Sequence, residues 1–277
     1  MNRIFKNLFM GAVLVVLLAP LVVVAGVSLN EKKQLLFPPR GFSLGWYQEL
    51  LTQADWLRSI GNSLIIAVAS ALLAVSIAFP IAYFLWRYRV LYARVLFGLG
   101  VAPFMLPPVI TALGFLLFWV NGEFWLSQIG IQIRLFGQIY ATIISHAIFF
   151  VTLPLVTISL GLESIDRQII EASTTMGADD ATIFRTIVVP MVRPYLISGY
   201  AFAFVLSLNE YIVAYMVAGF TVETLPIKIF NSLRYGYTPV MASVAVVFVL
   251  VAMIVFGLIA RFGDLPKLLG AWSQKET

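Results

Sequence analysis

Long apolar runs separated by short polar stretches set the pattern of this chain. Five runs of about twenty or more uncharged residues stand out, at 8–29, 59–86, 95–122, 135–162 and 235–260, and a sixth, 194–222, is interrupted by a single acid, Glu210. A segment that long and apolar has no water with which to satisfy its backbone, so each is predicted to be a helix that closes its own hydrogen bonds. The pattern gives an all-α chain with six transmembrane helices. Its parts are a first helix and outer loop at 1–57, a five-helix core at 58–262 and a short tail at 263–277.

Inside the second run, Ala67, Ala71, Ala74, Ala78 and Ala82 recur at spacings of three and four, a stripe that lets another helix approach closely. Pro80, Pro107 and Pro108 each remove a backbone donor and predict bends within the second and third spans. His146 in the fourth run either lines a pathway or hydrogen-bonds to a neighbouring helix. The aromatic residues Trp46, Tyr47 and Trp125 fall in the outer segments and suit interface anchors.

The polar stretch at 171–190 has structure of its own. Asp166 is placed to cap a short helix carrying Ile169, Ile170 and Met176, and Gly177 to end it in a left-handed turn. A second helix is expected to start at Asp179 or Asp180, carry Ile183, Phe184 and Ile187 on one side, and stop at Pro190.

Composition sharpens the class. The 277 residues are 61% hydrophobic and 11% charged, with a mean hydropathy of +0.97, too apolar for a soluble surface. With the N-terminus inside, eleven of the 18 Lys and Arg lie on the cytoplasmic face, which puts both termini and the 171–190 stretch in the cytoplasm. These cations flank spans and form no stripe, so the net charge of +5 does not point to nucleic acid. The first apolar run is read as a retained helix rather than a cleaved signal. Cysteine is absent and histidine occurs once, which leaves no thiolate metal site and no acid beside a histidine for hydrolysis. The sequence Gly-Lys does not occur, so the chain has no phosphate-cradling loop of that type.

Read letter by letter, Glu171, Ala172 and Ser173, then Gly177, then Ile187 and Pro190, resemble the EAA loop of permease subunits in binding-protein-dependent ABC importers, with Ser173 where a second alanine is usual and Val189 where leucine is usual. The resemblance spans about residues 58–262. It implies the type I importer permease fold and a cytoplasmic coupling element, with Glu171, Ala172, Ser173, Gly177, Ala178, Asp179, Ile187 and Pro190 facing an ATPase. It also implies a bacterial inner-membrane location, a second permease, two ATPase subunits that bind the ATP and magnesium, and a periplasmic binding protein. No cofactor is expected in this chain, and no catalytic role.

More narrowly, the stretches at 207–211, 225–229 and 235–239 are similar to the second permease of spermidine/putrescine-type systems. Subgroups carrying opines, aminobutyrate-like compounds or aminophosphonates look much alike. A self-sufficient secondary transporter or channel, with Glu210 as its ion site, is an alternative of another class, and a membrane enzyme a third. Within the importer reading, Glu210 is expected about sixteen residues into the fifth helix, where a carboxylate is costly and by default functional. With Asn209, Tyr211 and Tyr215 it forms a candidate substrate pathway suited to an ammonium group.

Overall fold

The computed structural model describes residues 3–88, 90–236 and 238–262, and for 258–262 the backbone alone; the tail at 263–277, Arg89 and Tyr237 lie outside the described residues. All regular elements among them are helical. In chain order they are α1 (Arg3–Ser28), α2 (Gly45–Thr52), α3 (Ala54–Tyr88), α4 (Leu91–Met105), α5 (Pro108–Gln128), α6 (Ile139–Phe150), α7 (Thr152–Glu163), α8 (Arg167–Thr175), α9 (Asp180–Ile183), a π turn (Phe184–Val188), α10 (Val189–Asn209), α11 (Ile212–Ala218), α12 (Leu225–Tyr235) and α13 (Val240–Phe262). Five stretches are long and apolar enough to cross a membrane, α1, α3, α5, Asp180–Asn209 and Val240–Gly257. The pair α6 and α7 makes a sixth if it counts as one bent span.

Prolines decide where the predicted spans break. The third run was expected to be one bent helix, yet it parts at Leu106 and Pro107, both extended. A proline disfavours helical geometry at its predecessor, and here two in succession stand at the break between α4 and α5. Residues of α4 then reach only about 22 Å at 1.5 Å per residue, so α5 alone is long enough to cross. That helix runs to Gln128, past the end of the third apolar run at 122. Pro154 acts more mildly: α6 and α7 meet at 46° beside Val151, three residues before it.

Two compact units emerge, one from the described residues of Met1–Ile60 and Ile227–Ile254, the other from those of Gly61–Pro226 and Val255–Thr277. In the first, Trp46 Nε1 donates to the Asn30 carbonyl at 2.6 Å and the Tyr47 hydroxyl meets Ser28 Oγ at 2.8 Å. These two aromatic residues therefore tie the outer loop to the end of α1. The Lys228 ammonium lies 5.2 Å from the centre of the buried Trp56 ring.

In the second unit α10 packs along α7, and α11 against α5 and α6. The alanine stripe of α3 is fully buried, as its spacing predicts. Small residues also set the α7 and α10 approach: a Cβ on Gly199 would fall 2.9 Å from the Pro154 backbone. Lipid offers no hydrophobic drive between helices, so this close contact is what holds them.

Candidate functional site

Two places in the second unit carry chemistry. The first is the polar segment from Asp166 to α10. Asp166 Oδ1 accepts from the Gln168 N–H at 2.9 Å and so caps α8. At the other end Gly177 has φ of 90°, its N–H reaches the Thr174 carbonyl, and the Ala178 N–H reaches the Ser173 carbonyl, both at 3.0 Å. That pair of bonds is a Schellman turn, which needs a left-handed residue. Asp179 then caps α9 by accepting from Thr182 N–H at 2.9 Å. Hydrogen bonds from the Thr182 side chain, then from its backbone, hold the Asp179 carboxyl below the usual carboxylate range.

The helix, glycine turn and second helix thus stand where the residues place them, but one expectation needs correcting. The second helix does not stop at Pro190. It passes through the π turn, where Val189 N–H bonds the Phe184 carbonyl five residues back, and continues as α10. The wider turn makes room for the Pro190 ring, so the helix runs on through it. Of the three apolar residues Ile169, Ile170 and Met176, only Ile170 is buried, and Met176 is 87% exposed at the glycine turn.

Glu171, Ala172, Thr174 and Thr175 are exposed, with Ser173 and Ala178 partly so. Glu171 borders a groove of about 300 Å³ with Trp86, Arg87, Tyr88, Arg167 and Ile170. Beneath α9 a second groove, of about 480 Å³, is lined by Phe79, Tyr83, Phe84, Phe184 and Arg185 among others. Sequence reasoning missed the contact that spans this region: Arg87 Nη2 lies 2.6 Å from Asp180 Oδ1, and the Tyr83 and Phe184 rings meet edge to face at 5.1 Å. Arg87 is visible in the sequence as a cation just past the second apolar run, but a partner 93 residues away is not.

The second place is Glu210. It was expected within a continuous helix, and instead the helix ends at Asn209, Glu210 is extended, and α11 begins at Ile212. Its carboxylate makes the break. Oε1 accepts from Val213 N–H at 2.9 Å and Oε2 from Ala214 N–H at 3.0 Å, so the side chain caps α11 in place of a continuing helix. That side chain is only 8% exposed, and Oε2 also lies 3.2 Å from His146 Nε2. Nε2 has no aligned hydrogen-bond acceptor among the described residues, so the two lie in contact without a directed bond.

On its other side His146 Nδ1 meets Ser207 Oγ at 2.8 Å, which meets Ser70 Oγ at 2.9 Å. A four-residue polar chain thereby links α3, α6, α10 and the break. His146 bonds a neighbouring helix, the plainer of the two readings its sequence position allowed. Tyr211 and Tyr215 stack with centroids 5.4 Å apart and are partly exposed, and exposed Asn209 donates to the Val205 carbonyl. Among the described residues no group of three or more acids or histidines is placed to hold a metal.

Comparison with known proteins gives this geometry a context. Residues 75–264 match the family described as binding-protein-dependent transport system inner membrane component. The chain is 29% identical to the spermidine/putrescine transport system permease protein PotC of Haemophilus influenzae over 258 residues, 91% of this chain and 94% of that one. It is 33% identical to the putrescine transport system permease protein PotI of Escherichia coli K12 over 251 residues, 89% and 85% of the two. Among solved structures, a chain of a bacterial ABC transporter importing the acidic polysaccharide alginate is similar at a TM-score of 0.64 and 18% identity, with 95% of this chain and 98% of that one covered. A chain of the MetNI methionine ABC transporter is similar at 0.58, also at 18% identity. These two likenesses concern the fold.

Proposed function

The chain belongs to the family of binding-protein-dependent transport system inner membrane components, and from that premise we propose that it is one of two permease subunits in an ATP-driven importer of a polyamine-like cation. The relatives named for spermidine and putrescine favour such a cargo over an opine, aminobutyrate-like or aminophosphonate one. In this reading the segment from Glu171 to Pro190 lies in the cytoplasm and docks on an ATPase subunit that binds the ATP and magnesium. A periplasmic binding protein delivers the cargo from the other side.

The observation that carries the coupling role is the exposed apolar tip. Met176 and Ile169 project from a rigid, capped helix whose partner helix is continuous with a span. An apolar residue presented on a fixed turn suits a partner's cleft, and the unbroken α9, π turn and α10 give a displacement there a stiff route into the membrane. Cargo passes the break in the fifth span, where Asn209, Tyr211 and Tyr215 offer polar and aromatic surface and Glu210 anchors the helix end.

The test is uptake of labelled spermidine and putrescine into vesicles carrying the assembled importer and its binding protein. Uptake should require ATP and survive an uncoupler. Uptake that persists without ATP but collapses with the uncoupler would mean a secondary transporter, and transport of an opine or aminophosphonate with none of polyamine would overturn the cargo assignment.

A further inference from the structure

We infer that His146 is the resident counter-ion of Glu210, a positioning residue that carries a proton on both ring nitrogens and holds the break in the fifth span. The inference deepens the pathway reading above and assigns Glu210 a different task from gripping cargo. Three observations support it. The Glu210 carboxylate is nearly buried, His146 is 1% exposed, and their nearest atoms are 3.2 Å apart. A buried carboxylate with no opposite charge is costly, and two backbone N–H groups on a seven-residue helix offset only part of that cost. No other ion pair to Glu210 occurs among the described residues.

Proton counting along the serines admits the same state. An unprotonated Nε2 would set its lone pair 3.2 Å from a carboxylate oxygen, acceptor against acceptor, so Nε2 carries a proton. Ser70 Oγ donates to the Ala67 carbonyl at 3.3 Å, which leaves it to accept from Ser207; Ser207 has then spent its one proton and accepts from Nδ1. The opposite order, Ser70 to Ser207 to Nδ1, also satisfies the hydroxyls but leaves Glu210 uncompensated. The first order alone neutralises the break. With His146 already in place, Glu210 has no spare charge for an incoming ammonium, and recognition of a cation at the break passes to the stacked Tyr211 and Tyr215.

The chain contains a single histidine, so nitrogen-15 labelling of histidine reports His146 alone. In the importer purified near neutral pH the spectrum should be that of an imidazolium, with both nitrogens protonated, and in Glu210→Gln it should become that of a neutral ring. A neutral spectrum in the unmodified protein overturns the inference even where polyamine uptake is normal, so its failure is separable from failure of the transport reading. Uptake supplies a second arm. His146→Gln should lower the rate about tenfold or more by stranding the buried carboxylate, and adding Glu210→Gln should restore uptake to within about threefold of normal, because two neutral amides need no counter-charge. A double variant as inactive as His146→Gln would mean that cargo needs the carboxylate itself, which also overturns it.

Discussion

At the scale of single residues, Gly177 offers the cleanest separation of backbone from side chain. A Cβ added there would meet nothing within 4 Å, so a substitution costs only what its left-handed φ of 90° imposes. That is roughly 1–2 kcal/mol for an ordinary residue and more for a β-branched one, whereas asparagine tolerates the conformation. Gly177→Val should therefore lose most uptake and most cargo-stimulated ATP hydrolysis while remaining in the membrane, and Gly177→Asn should keep both. Equal activity of the two would show that the Schellman turn does not set the docking geometry. This glycine, and the caps Asp166 and Asp179, were legible in the sequence because their chemistry is local. Glu210 was legible as an anomaly but not as a cap, since its partners are amides of the next helix and a histidine 64 positions earlier. Hydropathy registers that an acid is present in an apolar run; it carries no information about what the acid faces.

At the scale of elements, the same divide separates runs from breaks. Apolar length located the spans, and the alanine spacing on α3 located a buried face. The π turn and the parting of α4 from α5 were misread because the effect of a proline depends on whether the preceding turn has room to widen. A consequence concerns the tie between α3 and α9. Arg87 and Asp180 keep 29% and 59% of their side-chain surface exposed, so their pair is worth at most about 1 kcal/mol of stability. Its value lies in orientation, since it fixes the end of α3 to the first turn of the helix that leads into α10. Arg87→Asp or Asp180→Arg alone should cut uptake several-fold with little change in melting temperature, and the two together should recover much of it. A double variant no better than either single one, measured at low and high salt, would leave the pair without a role in coupling.

At the scale of the whole molecule, exposure of apolar surface does not by itself call for a partner. The most apolar window of α1 is entirely exposed, which a bilayer accommodates as readily as a protein would. Energy supply is the stronger reason to expect an assembly. The chain has no Gly-Lys with which to cradle a nucleotide phosphate, and its conspicuous buried ionisable pair, Glu210 with His146, is spent on holding a helix break. In the proposed assembly, transport is driven from outside, through a contact such as the exposed tip at Met176. Proteoliposomes holding this chain alone should therefore move no spermidine above the passive leak under ATP, a proton gradient or a sodium gradient. Adding the second permease, the ATPase and the binding protein should produce ATP-dependent uptake, and Met176→Asp, which places a charge on the docking tip, should reduce it about tenfold or more without releasing the chain from the second permease. Gradient-driven transport by the isolated chain would refute this assignment of its energy source, and full activity of Met176→Asp would move the docking contact elsewhere on the segment.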